Sequence, residues 1–187
     1  AIKGVGEGPV EAITEARQAG PFKDLFDFCA RVDLKRINKR TLDGLIRSGA
    51  LDRLGPCFHD EPKAYQASID QNRAILLAAL EGAIKAAEQT ARTHDSGHDD
   101  LFGGVFVAED ADVYVNYRKA KELTLKERLK GEKDTLGLYL TGHPIDEYEG
   151  EIRRFARQRI IDLKPARDTQ TVAGMIIALR VMKNKKG

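Results

Sequence analysis

Gly4-Val5-Gly6-Glu7-Gly8-Pro9-Val10-Glu11-Ala12-Ile13 is the stretch that decides how this chain is read. Glycine tolerates positive φ and lets another backbone or a phosphate come close. Gly8-Pro9 then opens a helix, because proline at the first helical position forfeits no hydrogen bond. The unpaired amides of that helix, and the positive end of its dipole, point back at the glycine turn and make an anion site. A dinucleotide fingerprint fits poorly. Its third glycine is misplaced, no strand precedes it, and Pro9 occupies the helix start. A tight αα turn that binds nothing has the same spacing, and spacing alone does not choose between the two.

The chain has 187 residues, enough for one domain or two small ones. Its 31 Lys+Arg nearly balance 29 Asp+Glu, 32% of residues are charged, aromatics are 6% and Trp is missing. That composition predicts a helix-rich protein and argues against a β-sandwich. The apolar run Ala74 to Leu80 is far short of a membrane span. Cys29 and Cys57 cannot make a disulfide framework, which fits a reducing, cytoplasmic compartment, and no signal peptide is read at the start. The chain opens Ala1-Ile2-Lys3 without Met and stops at Lys185-Lys186-Gly187, just after an apolar run, so it reads as an excised piece of a larger protein. Residues 31–53 and 151–187 are basic and 57–113 are acidic. Basic clusters are a polyanion footprint, and equally the solvated faces of helices.

Punctuation predicts helices over about 8–19, 22–30, 38–49, 62–92, 124–140 and 143–155. Phe22, Leu25, Phe26 and Cys29 share one face of the second. Asn38 caps the third, with Leu42, Leu45 and Ile46 inward. Thr124 and Glu127 form a capping box. Residues 93–118 read as a loop, and 171–182 as a lone strand.

The glycine turn resembles a helix-hairpin-helix motif, a sequence-independent DNA-binding element. Taken in order, the turn, Phe22-Lys23-Asp24-Leu25-Phe26-Asp27-Phe28, Asn38-Lys39-Arg40-Thr41-Leu42 and Ser48-Gly49-Ala50-Leu51-Asp52 are similar to the alpha (polymerase) subunits of bacterial DNA polymerase III. Leu136-Gly137-Leu138-Tyr139-Leu140-Thr141-Gly142-His143-Pro144 is the most specific match, and 57–95 match only in helical character. The resemblance implies a mostly α fold. A tandem helix-hairpin-helix over 1–56 would be followed by a long helix and clamp-binding loop over 57–118. A helical connector over 119–167 and the truncated first strand of an OB-fold over 168–187 would complete it. It further implies a DNA-directed DNA polymerase, a nucleotidyltransferase of replication, whose catalytic aspartates and Mg²⁺ sit in a palm domain upstream. This chain would then carry no catalytic residue and no cofactor. Backbone at Gly4, Val5, Gly6 and Gly8 would contact duplex phosphates, and Lys39 and Arg40 would add charge. Glu7 puts a negative charge inside that turn, and its direction is open.

His98-Asp99-Asp100-Leu101-Phe102 is similar to the internal motif by which such subunits dock on the sliding clamp, usually Gln-x-x-Leu-Phe. Two apolar anchors would enter a pocket while His98, in place of Gln, keeps hydrogen-bonding capacity. Other replicase subunits would be further partners, and a membrane none. The alternative for Leu101 and Phe102 is burial in the chain's own core. His94 and His98 have the i, i+4 spacing of metal ligands, but no metal site is expected in so acidic and glycine-bearing a segment. Two other readings compete: a helix-hairpin-helix DNA glycosylase using Asp24 or Asp27, and a structural adaptor without DNA binding. Arg153, Arg154, Arg157 and Arg159 fit either a DNA backbone or a solvated face.

Overall fold

The computed structural model describes residues 1–95, 112–156, 158–176 and 179–182. Its helices are α1 (Glu7–Arg17), α2 (Leu25–Arg31), α3 (Lys39–Arg47), α4 (Pro62–Asp95), α5 (Leu125–Leu136) and α6 (Glu149–Phe155), with short 3-10 turns at Asp52–Leu54, Asp146–Tyr148 and Ile160–Asp162. Among the described residues there is no β-strand, and no helix is long and apolar enough to cross a membrane. Contacts divide the chain into two compact units, Ala1–Thr141 and Gly142–Gly187.

Within Ala1–Thr141 the first three helices do not make a core by themselves. Leu25, Phe28 and Cys29 of α2 and Leu42, Leu45 and Ile46 of α3 bury together with Ile75, Leu76, Ala79, Leu80 and Ala83 of α4. Each fully buried Leu or Ile contributes about 1.5–3 kcal/mol, so α4 is the spine on which the hairpin helices are built. Burial pushes the Cys29 thiol up to about 12, the state of an inert core residue.

Local chemistry sets the helix ends. α2 begins three residues later than the sequence pattern predicts, because the Asp24 carboxylate caps it by accepting from the amides of Phe26 at 2.7 Å and Asp27 at 2.8 Å. Asn38 caps α3, and the Thr124–Glu127 capping box opens α5. α5 stops at Leu136, short of the expected Leu140, because Gly137 adopts a left-handed C-cap with φ 78°. The following helix starts at Glu149 instead of His143. His143 holds the turn before it, its amide donating to Asp146 at 2.8 Å.

Residues 112–120, expected to be loop as far as 118, are tied to the core. The Tyr114 hydroxyl accepts from the Leu25 amide at 2.8 Å and donates to the Leu54 carbonyl. In the Gly142–Gly187 unit the described part of 171–182 makes no ladder, and Val172, Ile176, Leu179, Val181 and Met182 are exposed. A lone strand has no neighbour to complete its hydrogen bonds. Residues 177 and 178 of the expected strand lie outside the described residues.

Candidate nucleic-acid interface

Gly6 is the N-cap of α1 and makes no side-chain cap, so the helix starts at Glu7 with Gly8 and Pro9 in its first turn. Amides in that turn have no intrahelical acceptor, so Pro9 costs nothing there. Gly4 has φ +84°, the left-handed conformation that glycine supplies. A Cβ built at Gly4, Gly6 or Gly8 would meet nothing within 4 Å. These glycines therefore do not make room for the protein's own atoms. They leave an open backbone surface at a helix N-terminus.

That surface is stitched down from behind. The Lys3 amide donates to the Thr135 carbonyl of α5 at 2.7 Å, and the Thr41 hydroxyl of α3 donates to the Gly4 carbonyl at 3.3 Å. Thr41 is itself fixed by the Asn38 cap, its amide donating at 2.9 Å. The start of α3 thus lies beside the glycine turn and presents Lys39 and Arg40, both exposed. Val5 is half-buried against the core, and Glu7 is exposed at the head of α1.

The basic segment 31–53 is less available than its charge suggests. Arg31 binds the carbonyls of Ala16, Gly20 and Pro21 and pairs with Asp27. Arg36 reaches Glu11 and Glu15 of α1, Arg47 pairs with Asp43, and Arg53 with Asp60. Lys39 lies 3.4 Å from Glu81 of α4, and hydrogen bonds from Lys85 and Lys39 hold the Glu81 carboxyl below its usual range. Both partners are exposed, so the pair is weak and a phosphate can compete for Lys39. Lys35 and Arg40 are the cations of this segment with no carboxylate partner among the described residues. Asp24 and Asp27, the glycosylase candidates, are occupied as a cap and as the partner of Arg31.

Behind the hairpin lies a group of residues that sequence reading did not single out. Arg73, in the middle of α4 and 1% exposed, donates to Asp52 through Nε at 3.0 Å and Nη2 at 2.9 Å, and to Glu132 through Nη1 at 2.9 Å. Glu132, 0% exposed, also accepts from the amides of Leu140 at 2.7 Å and Thr141 at 3.0 Å, and from the Thr141 hydroxyl at 2.6 Å. Burial opposes its charge, yet the Thr141 and Leu140 donors and Arg73 outweigh it and hold the carboxyl below its ordinary 4.5. Tyr65 donates to Asp52, and burial together with that bond pushes its hydroxyl up to about 12. Asp52 follows α3, Arg73 is on α4 and Glu132 on α5, so one ionic hub fixes the hairpin, the spine and the Leu140–Thr141 backbone to one another.

Residues 1–58 match the helix-hairpin-helix motif family. Over all of its 187 residues the chain is 92% identical to DNA polymerase III subunit alpha of Pseudomonas fluorescens. It is similar end to end to a segment of that subunit. The Pseudomonas aeruginosa protein of the same name is 81% identical, and that of Escherichia coli (strain K12) 44%, again with the whole chain covered. The chain spans only 15–16% of the length of these curated relatives. The DNA polymerase III resemblance read from the glycine turn and from Leu136–Pro144 therefore holds along the whole sequence. His98, Asp99, Asp100, Leu101 and Phe102 lie outside the described residues, as does the side chain of His94. Among the described residues no three His, Cys, Asp or Glu side chains stand together as metal ligands.

Proposed function

We propose that this chain is the part of a replicative DNA-directed DNA polymerase that holds duplex DNA without reading its sequence, and that it works in the cytoplasm. Backbone at Gly4, Val5, Gly6 and Gly8 contacts phosphates, Arg40 is the principal charged contact, and Lys39 joins when a phosphate displaces Glu81. Phosphate contacts position a protein on DNA without sequence information. The observation that carries this reading is the open, left-handed glycine turn at an α-helix N-terminus, anchored by Thr135 and Thr41, inside a segment matching a helix-hairpin-helix family. Nucleotide transfer and its Mg²⁺ belong to a palm domain outside this chain.

Fluorescence anisotropy with duplexes of unrelated sequence tests it. Affinity should be similar for each, and log K should fall with log salt by about 0.9 per phosphate neutralised. Lys39→Ala with Arg40→Ala should flatten the slope, Arg40→Ala alone accounting for most of the change. Salt-independent binding, or binding to one sequence alone, would contradict the reading.

The same proposal includes docking on the sliding clamp through His98-Asp99-Asp100-Leu101-Phe102, supported by the likeness of that run to a clamp-binding motif. Leu101→Ala with Phe102→Ala should abolish clamp binding in surface plasmon resonance while melting like wild type, and His98→Gln should keep or improve binding. A large loss of stability, with clamp binding undetectable even before mutation, would place the pair in the core instead.

A further inference from the structure

We infer that the groove between the end of α1 and the turn after α3 docks an acidic peptide segment of a partner protein, one with a large apolar side chain between carboxylates. The groove encloses about 670 Å³, within the usual range of ligand clefts. Its floor is apolar, made by Ile13 of α1, Phe22, Phe28, Leu45 of α3, Leu51 and Leu54. Two cations also line it, Arg17 in the last turn of α1 and Arg53 in the 3-10 turn Asp52–Leu54. Among the described residues no carboxylate does.

The groove is held in shape before anything binds. Phe22 meets Phe28 edge-on, with ring centroids 4.8 Å apart, and the Arg31 guanidinium lies 4.6 Å over the Phe22 ring. Arg31 also fixes the Gly20–Pro21 wall, donating to the Gly20 carbonyl at 2.7 Å and the Pro21 carbonyl at 3.0 Å. A preformed groove spares a partner much of the ordering cost of binding. The apolar floor supplies burial, and the two arginines select what is buried there.

Charge complementarity fixes the occupant. Arg17 is exposed and has no carboxylate partner among the described residues. Arg53 pairs with Asp60 at 2.9 Å, the side chains 76% and 82% exposed, and lies over the Phe58 ring. Such a pair is weak, so an incoming carboxylate can displace Asp60. Two guanidiniums on separate elements match two carboxylates that flank an apolar anchor. A small apolar acid has one carboxylate and leaves one arginine unanswered. A DNA duplex has nothing for the apolar floor. Arg17 also stands ten residues from Glu7, about 15 Å along α1, so this end of the helix is apart from the glycine turn.

The chain contains no Trp, so a Trp in a synthetic peptide reports its own burial. The peptide Glu-Asp-Leu-Trp-Leu-Asp-Glu should bind the 187-residue chain with a blue shift of its emission, and less tightly as salt is raised. A counterpart with Gln and Asn for the acids should bind about tenfold more weakly, and one with Lys not at all. Arg17→Glu with Arg53→Glu should invert that order, admitting the Lys peptide and rejecting the acidic one. Ala50→Phe should block every peptide, because Ala50 is an exposed residue of the groove. All three positions are exposed, so both variants should melt like wild type and bind a mixed-sequence duplex as it does. No peptide binding, binding indifferent to peptide charge, or binding that survives both variants would overturn the inference. So would laurate bound in place of the peptide, which would make the groove a site for a small apolar acid. Duplex binding lost with Arg17 and Arg53 would assign those arginines to DNA and overturn it equally.

Discussion

Arg73→Met should cost the Ala1–Thr141 unit about 3–5 kcal/mol, the penalty for removing one partner from a buried ionic group. At roughly 2–4 °C per kcal/mol for a chain of this size, its melting temperature should fall by about 10 °C. Methionine fills much of the volume and keeps the apolar stem, so the loss comes from charge. Asp52 and Glu132, 3% and 0% exposed, would keep buried carboxylates without the guanidinium between them. Tyr65 would still serve Asp52, and Leu140 and Thr141 would still serve Glu132, which keeps the cost finite. Asp52→Asn and Glu132→Gln added to Arg73→Met should restore part of the stability by removing the stranded charges. The pH dependence has a fixed sign. The folded Glu132 carboxyl titrates below its ordinary 4.5, so the unfolded chain takes up its proton first as pH falls. Stability from this group is complete above that value and drains away as pH drops through the folded pKa. Arg73→Met should shallow that acid limb. A variant melting within about 1 kcal/mol of wild type would show that the hub is dispensable.

Gly55→Ala should cost about 2–4 kcal/mol through overpacking and lost hydrogen bonds, although it adds one methyl. The backbone at Gly55, φ −90° and ψ 157°, suits any residue, so the constraint is space. An added Cβ would stand 2.2 Å from Asn72 Oδ1. Asn72 is 0% exposed and cannot step aside. Its Oδ1 accepts the Cys57 amide at 2.9 Å, and its Nδ2 donates to the Asp52 carbonyl at 2.8 Å. Gly82→Ala is the control. There the close atom is the hydroxyl of Tyr117, the far end of a half-buried side chain that can swing away. Thermal melts should show Gly55→Ala much the more damaged. Equal losses would mean that Asn72 is not locked.

Both predictions concern residues that carry little signal in sequence, and the reason is distance along the chain. Asn38, the Thr124–Glu127 box and the start of α4 were legible because a cap and the amide it satisfies lie within one turn. The glycine turn is legible because glycines directly before a helix-opening proline are themselves a local signal. Asp52, Arg73 and Glu132 are separated by 21 and 59 residues, beyond any local pattern. One clue was present. Arg73 falls on the stripe of α4 that buries Ile69, Leu76 and Leu80, and a cation on an apolar stripe needs a buried anion. Leu136–Pro144 carries the resemblance most specifically, yet its sequence announces no physical role. Leu140 and Thr141 supply one, since their amides complete the shell of Glu132. Tyr114 was missed because a lone aromatic in a turn-rich stretch has no periodicity to announce its burial. The basic charge of 31–53 is plain in the sequence, but a net charge does not reveal that Arg36 and Arg53 face carboxylates of their own chain.

The central claim is that the glycine turn itself meets the phosphate backbone, with α3 adding charge beside it. Amide-resolved NMR of the 187-residue chain titrated with a short duplex measures this directly. The largest shifts should fall on the amides of Gly4, Gly6, Glu7 and Gly8 and on Arg40, should be the same for duplexes of different sequence, and should fade as salt is raised. A duplex that binds while those amides stay still, with the shifts gathered elsewhere on the chain, would contradict the account.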